Sequence, residues 1–182
     1  MDEVPEEDRA KGILIDDESQ LSVKTLGVRW NATPDDFTFE VKPYDQPNVT
    51  KRSLLSWLAR IFDPLGMLSP YTIIGKMLIQ KTWIAGVDWD DKLSEELASE
   101  CTEWFNEAVE LRNVHVPRVL VQSSLKDIQI HVFSDASKDA YGAVSYIREK
   151  TDQGIQVRFI TAKSKVAPVQ AVSIPRMELL GA

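Results

Sequence analysis

The spacing of apolar residues changes near residue 125, and this change constrains the fold more than any other feature of the sequence. Upstream, apolar residues recur every three or four positions, which is the pattern of amphipathic helices. Downstream, they alternate with polar residues, which is the pattern of β-strands. The chain is therefore expected to be an α+β protein in which a helical segment precedes the principal sheet.

Three amphipathic helices are predicted in the upstream part. The first is expected to end at Asp63 and Pro64, because proline cannot continue a helix. The second is expected to begin near Ser69, whose side chain could cap it. The third is expected to run from Ser94 to about Leu111. The first helix carries its apolar face at Leu54, Leu55, Leu58, Ile61 and Phe62.

Cys101 is the only cysteine among the 182 residues. An intramolecular disulfide and a cysteine-based zinc site are therefore both excluded. Free cysteines are among the most buried residues, and this one has the spacing of a core position. The residues predicted to face inward on the third helix are Leu97, Cys101, Trp104, Phe105, Ala108 and Leu111.

Strand patterns occur on both sides of the helical segment. Two alternating runs, 23–30 and 37–41, flank a polar turn with a proline, which predicts an N-terminal hairpin. Beyond residue 125, "IQIHVFS", "YGAVSYI" and "QVRFITA" predict three strands, with "REKTDQG" as the last turn. Their connections are too short for crossover helices, so the sheet across 127–163 should be largely antiparallel. The final "SIPRMELLGA" predicts the start of a helix, and its uncapped apolar end is expected to reflect a truncation.

The net charge of −7 is unevenly distributed along the chain. The first 50 residues hold 12 acidic and 5 basic residues, whereas the part from Arg112 onward holds 6 acidic and 10 basic residues. The C-terminal part is therefore compatible with a polyanionic partner. The sequence lacks both an apolar run of about 18 residues and a secretory signal, so an intracellular, cytoplasmic protein without a membrane partner is expected.

Two carboxylates lie at the ends of different predicted elements. Asp135 ends the first strand in "IHVFSDASKDAYGAVSYI", and Glu178 lies in the first turns of the terminal helix. Cleavage of phosphodiesters with Mg²⁺ requires carboxylates from separate elements that converge on one point. Two simpler interpretations remain open, because Asp135 could form an ordinary turn and Glu178 could be an acidic residue favoured by the helix dipole.

Several motifs together resemble a known family. "FSDASKDAYGAVSYI", "RFITAKSKVAP" and "IPRMELLGA" resemble the first three strands and first helix of a retroelement ribonuclease H domain. Upstream, "LGVRWNATPDDFTFEV" and "TKRSLLSWLARIFDPLGMLSPYTIIGKMLIQKTW" resemble the end of the reverse transcriptase and its connection in Pao/BEL-type retrotransposon polyproteins. The resemblance implies an acidic tail over 1–23, the end of a reverse transcriptase with a helical connection over 24–112, and an incomplete ribonuclease H-like domain over 113–182.

The resemblance also implies a role for individual residues. Asp135 and Glu178 match Mg²⁺ ligands of the family, whose other carboxylates lie further downstream, so this chain is expected to be inactive alone. The implied partners are an RNA–DNA hybrid and the remainder of the Pol polyprotein, and a sheet without its later helices should expose an apolar patch. The candidate phosphate contacts are the basic residues Lys51, Arg52, Arg158, Lys163 and Lys165.

Two other functions are weighed against the nuclease. One is a non-catalytic scaffold or nucleic-acid-binding remnant of a retroelement. The other is an aspartic-type peptidase, because this region of Pao-type polyproteins also carries a peptidase label. That chemistry needs two aspartates, each in an Asp-Thr/Ser-Gly turn. The stretch of the chain most similar to such a turn is "SDAS". His115 and His131 lack a nearby nucleophile motif and are expected to be surface or satisfied residues.

Overall fold

The computed structural model describes residues 22–25, 28–122, 128–170 and 172–182, and its mixture of helices and antiparallel sheets confirms the predicted α+β class. The predicted acidic tail lies almost entirely outside the described residues. Within the described part, the α-helices are α1 (Lys51–Leu58), α2 (Ser69–Ile84), α3 (Glu95–Glu107) and α4 (Ile174–Gly181), and a 3₁₀ helix, Ala108–Asn113, continues α3.

The N-terminal sheet differs from the predicted hairpin. It contains β1 (Ser22–Thr25), β2 (Val28–Asn31), β3 (Asp36–Phe39) and β4 (Val116–Pro117), which are hydrogen-bonded in that order and antiparallel. The run predicted as one strand, 23–30, is wrong because Thr25 pairs with Val28, so its two halves run in opposite directions. The two residues between them lie outside the described part, and the glycine at position 27 is the sequence signal for such a reversal.

Asp35 ties β4 to the hairpin. Its backbone has a φ of 53°, and its carbonyl accepts the Arg118 N–H at 3.0 Å. The carboxylate accepts the Arg118 Nε–H at 2.6 Å and the Trp30 Nε1–H at 2.8 Å. These interactions, with Arg118 first and Trp30 second, lower the pKa of Asp35. The two-residue strand β4 therefore depends on side-chain contacts. Such contacts cannot be predicted from the spacing of apolar residues in the sequence.

The helical core centres on Trp104, which is 2% exposed. Its ring lies 5.0 Å from that of Tyr71 and 4.9 Å from that of Trp57. The Tyr71 hydroxyl donates to the Trp104 carbonyl at 2.7 Å, and the Trp104 Nε1–H donates to the Tyr71 carbonyl at 3.1 Å. These contacts lock α2 to α3. The buried residues that confirm the predicted inward face of the third helix are Leu97, Cys101, Trp104, Phe105, Ala108 and Leu111.

Two helix boundaries differ from the prediction. Helix α1 ends at Leu58, so Ile61 and Phe62 lie beyond the helix on which they were placed. Ser69 is the first residue of α2, and no side chain caps this helix. The backbone N–H groups before α2 are instead bound by Asp63, whose carboxylate accepts from Met67 and Leu68 at 2.8 Å each. Burial raises the pKa of Asp63, and these hydrogen bonds oppose the rise.

The principal sheet confirms the predicted antiparallel arrangement. Its strands, in hydrogen-bonded order, are β5 (Ile128–Ala136), β6 (Ala140–Thr151) and β7 (Gly154–Val166). The last turn is shorter than predicted, because Thr151 pairs with Gly154 and only two residues separate β6 from β7. Gly154 has a φ of 121°, which suits a tight turn.

The segment 63–68, called the docking loop below, attaches the helices to the outer edge of β7. The Leu65 carbonyl accepts from the Ala162 N–H at 2.8 Å and from the Thr161 hydroxyl at 2.9 Å. Further along, the Gln80 side chain of α2 donates to the Ala167 carbonyl at 2.5 Å. An edge strand with unpaired backbone groups invites non-native pairing, so this contact also protects β7.

Strand β5 lies at the opposite edge of the sheet and is largely exposed. Ile130, Val132 and Phe133 are 67%, 63% and 58% exposed. These residues lie on both faces of the strand, because successive side chains alternate.

Across the described ranges, no helix is long and apolar enough to cross a membrane.

Replacing Gly66 with alanine should detach the docking loop from β7. Gly66 has a φ of 76°, and a Cβ atom there would lie 2.0 Å from the Ala162 carbonyl oxygen. We expect Gly66→Ala to reduce the free energy of unfolding by about 3 kcal/mol or more, since both backbone strain and a clash are introduced. Urea denaturation followed by circular dichroism measures this change.

Gly86→Ala provides the matched control. Gly86 has a similar φ of 66°, but a Cβ atom there meets nothing within 4 Å. Only the left-handed backbone is then penalised, and we expect a loss of about 1 kcal/mol. Equal losses for the two variants would show that the docking loop does not require the close approach at Gly66.

The Cys101 thiol should be inert in the folded protein. It is fully buried, and burial, followed by the charge of Glu100, raises its pKa to about 12. Because the thiolate is the reactive form, we expect no labelling by a disulfide reagent at pH 8 until denaturant is added. Complete native-state labelling within seconds would contradict the described packing of α3.

Candidate metal and nucleic-acid site

Asp135 is the penultimate residue of β5, and its side chain is exposed. One carboxylate oxygen, Oδ1, accepts the N–H of Ala136 at 2.9 Å. Oδ2 makes no hydrogen bond with the part of the chain that the structure describes. One oxygen therefore fixes the carboxylate, while the other is available to a ligand.

Gly142 leaves space beside this carboxylate. It pairs with Asp135 on one side and with Ser164 on the other, so the three positions share one face of the sheet. A Cβ atom on Gly142 would lie only 2.9 Å from the Lys163 carbonyl oxygen, so even alanine would require a shift. The absence of a side chain here keeps the row between Asp135 and Ser164 open.

A cavity of about 610 Å³ borders Asp135. Its floor includes Phe133, Tyr146 and Phe159, whose neighbouring rings lie 6.2 and 6.1 Å apart across the three strands. Its wall is formed by Ile73 and other residues at the start of α2. The docking of α2 on β7 thus shapes the space next to the candidate ligand.

Helix α4 brings Glu178 to the same end of the sheet. The helix packs against β5 and β6, and Met177 is 1% exposed in this contact. At Gly181, a Cβ atom would lie 3.4 Å from the Gly142 carbonyl oxygen and 3.6 Å from that of Asp135. Glu178 precedes Gly181 by three residues, which places both on one side of the helix. The element carrying Glu178 therefore lies against the strand end carrying Asp135.

The chemistry of these two side chains fits Mg²⁺. Both are exposed carboxylates, and neither forms an ion pair with any described residue. Magnesium prefers oxygen ligands and keeps several waters, so one or two carboxylates can hold it. Within the described ranges, no group of three or more His, Cys, Asp or Glu side chains that could hold a metal ion occurs.

The structure brings together two of the five predicted phosphate contacts. Lys163 and Lys165 are exposed on the same face of β7 and form no ion pair within the described residues. Arg158 lies further along β7, beyond an irregularity in its pairing with β6 at Ser145 and Tyr146. Its guanidinium donates to the Gln156 side chain at 3.1 Å, so it belongs to a different part of the surface.

Lys51 and Arg52 do not form an open basic patch. Lys51 is 3% exposed, and its Nζ lies 3.9 Å from the Trp83 ring centroid and 5.5 Å from that of Trp89. Arg52 donates to both carboxylate oxygens of Asp90, at 2.7 and 2.9 Å. Lys51 is thus a buried cation stabilised by aromatic rings, and we leave it out of the interface proposed below.

Sequence reasoning missed Lys76 and Trp83 of α2. The Lys76 Nζ donates to the Ser164 carbonyl at 3.4 Å, which places its charge beside the exposed lysines of β7. No sequence signal distinguishes it from other lysines on a polar helix face, because its neighbours lie 88 residues away.

The histidines are satisfied, as expected: Asp36 pairs with His115 at 2.8 Å, and His131 stacks on Phe133.

Lys51→Gln should affect stability rather than ligand binding. The substitution removes a cation from two tryptophan rings, and we expect the free energy of unfolding to fall by about 1–2 kcal/mol. The Arg52 side chain is 62% exposed and its ion pair is screened by solvent, so Arg52→Gln should destabilise the protein less than Lys51→Gln. Urea denaturation measures both, and a larger loss for Arg52→Gln would contradict the assigned role of Lys51.

Comparison with known families finds one match. Residues 50–182 match the family model described as "Pao retrotransposon-like RNaseH-like domain". This range contains α1–α4 and the whole principal sheet, including Asp135 and Glu178. A search of curated proteins gives no match.

Proposed function

Because the chain belongs to the Pao retrotransposon-like RNaseH-like domain family and is related to retrotransposon Pol polyproteins, we propose that it takes part in cleaving the RNA strand of RNA–DNA hybrids. The observation that supports this role is the approach of α4 to β5. With Gly181 against the Asp135 backbone, Glu178 is placed one helical turn from the strand end.

Asp135 and Glu178 would hold Mg²⁺ in this proposal. When bound, the ion would polarise the phosphodiester and lower the pKa of a coordinated water. Asp135 keeps its orientation through the hydrogen bond from Ala136, and Gly142 leaves room for a ligand on the same face. The exposure of both carboxylates lets a hybrid substrate reach them without a rearrangement of the sheet.

We further propose that the chain alone binds Mg²⁺ weakly and does not cleave. Two-metal hydrolysis requires both ions to be fixed, and the described residues offer a pair of carboxylates here rather than a larger cluster. The remainder of the Pol polyprotein is the proposed partner, and the exposed apolar side chains of β5 support such an association.

A non-catalytic nucleic-acid-binding role is the second candidate, favoured by the exposed Lys163 and Lys165.

Removal of either carboxylate should abolish the metal site. Titration with Mg²⁺, followed by amide NMR shifts, should give weak binding that perturbs β5 and α4. We expect Asp135→Asn and Glu178→Gln each to weaken binding at least tenfold, because each removes a charged oxygen ligand. Hybrid cleavage by the unmodified chain should remain undetectable.

Asp139→Asn is the matched control. Asp139 is an exposed carboxylate only four residues from Asp135, in the turn between β5 and β6, and it has the same charge. Its substitution should leave Mg²⁺ affinity unchanged. Metal-induced shifts that persist in Asp135→Asn, or that disappear in Asp139→Asn, would remove Asp135 from the proposed site.

A further inference from the structure

A long groove runs between α2 and the sheet. Two adjoining cavities of about 760 and 740 Å³ form it, and both are bordered by Leu58, Lys76 and Ser164. The first extends over the sheet to Thr161 and Lys163, and the second extends along α2 to Trp83. We call this continuous feature the α2–β7 groove.

The charge of the groove is positive. Lys163 borders the first cavity, Lys165 borders the second, and Lys76 borders both. The carboxylate among the lining residues is that of Asp63, and its two oxygens accept backbone N–H groups of the docking loop. Three ammonium groups therefore face the groove, while its carboxylate is engaged by the backbone.

The length of the groove suits a short stretch of nucleic acid. Along α2, its lining extends from Ser69 in the first cavity to Trp83 in the second. With a rise of 1.5 Å per residue, this distance is about 21 Å, or roughly four to six nucleotides of a single strand. The three lysines can thus contact successive phosphates rather than one anion.

Trp83 provides a flat surface at the end of the groove. It is 56% exposed, although the Lys51 Nζ lies 3.9 Å from its ring centroid and Trp89 meets it edge-on at 5.4 Å. These contacts hold the ring in place while leaving more than half of the side chain open. An exposed aromatic ring beside a positive groove is the usual arrangement for stacking an unpaired base.

We propose that the α2–β7 groove binds single-stranded nucleic acid, with Lys76, Lys163 and Lys165 on the phosphates and Trp83 stacked on a base. The occupant is a single strand rather than a duplex, because a duplex buries its base faces and cannot offer one to Trp83. This inference rests on the proposed nucleic-acid function, but it does not involve Asp135 or Glu178.

The phosphate contacts are tested with a fluorescent 12-nucleotide oligo-dT and the full 182-residue chain in EDTA, by anisotropy from 0.05 to 0.3 M salt. Each phosphate contact contributes a slope of about −0.7 in log K against log salt for single strands. We expect Lys163→Gln combined with Lys165→Gln to reduce the slope by about 1.4 and the affinity about 25-fold at 0.1 M salt.

A double variant elsewhere controls for net charge. Lys42→Gln with Lys150→Gln removes the same charge from exposed lysines that do not border the groove. It should change affinity less than about twofold. Equal losses in the two double variants would overturn the groove assignment in favour of a general charge effect.

Base stacking is tested by comparing oligo-dT with an abasic strand of the same length. The intact protein should prefer oligo-dT by about tenfold, and Trp83→Leu should remove this preference. Trp89→Leu is the control, because Trp89 also approaches Lys51 but does not line the groove. A preference that survives in Trp83→Leu would exclude stacking on this ring.

Two competitors decide the class of ligand. Poly-glutamate that displaces oligo-dT at equal charge concentration would assign the groove to an acidic protein partner. Blunt RNA–DNA hybrid that displaces labelled oligo-dT as effectively as unlabelled oligo-dT does would refute a single-strand site. Oligo-dT binding should persist in Asp135→Asn and Glu178→Gln. A result that refutes nucleic-acid binding in the groove is therefore distinguishable from one that refutes Mg²⁺ binding by Asp135 and Glu178.

Discussion

The carbonyl of Leu65 accepts two hydrogen bonds from β7, and most other features of the structure depend on this contact. It covers the outer edge of β7 and fixes the position of α2 against the sheet. Both the cavity beside Asp135 and the α2–β7 groove are bounded by Gly66 and Ser69 near this contact. A close backbone approach at one glycine thus shapes the surroundings of two candidate sites.

The exposed lysines of β7 and the candidate metal ligand Asp135 lie on different faces of the sheet. Antiparallel pairing places Asp135, Gly142 and Ser164 in one row, and Ser134, Ala143 and Lys163 in the next. Since adjacent rows point to opposite faces, Asp135 and Lys163 project in opposite directions. The cavity beside Asp135 is nevertheless lined by Lys163 as well, so the two candidate sites adjoin, and they are distinguished by substituting the lysines and Asp135 separately.

The structural features that depend on residue spacing within one element were predicted correctly from local sequence patterns. The inward face of α3 and the antiparallel order of β5, β6 and β7 follow from period and connection length. The sequence also placed Asp135 at a strand end and Glu178 in a helix. Their approach through Gly181 could not be predicted by spacing, because it depends on how α4 packs on the sheet.

Charged residues were the least predictable. Lys51 was predicted to contact phosphate, yet it is buried, and Trp83 and Trp89 stabilise its charge from more than 30 residues away. Lys76 joins the basic groove through its contact with β7, and Arg118 is held beside the first sheet by its ion pair with Asp35, 83 residues away. Each misplacement involves a partner distant in sequence, which a local period cannot identify.

Strand β5 combines the candidate metal ligand with the most exposed part of the sheet. Ile130 and Val132 lie on one face and Phe133 on the other, and apolar residues on both faces are typical of strands that are covered on both sides. Leu179 and Leu180 of α4, next to Glu178, are also exposed, at 77% and 54%. Any element that packs against these residues restricts the strand and helix that carry the two carboxylates. If the proposed association occurs at β5, it would be coupled to the proposed metal affinity, because the exposed apolar surface is continuous with the elements that carry the two carboxylates.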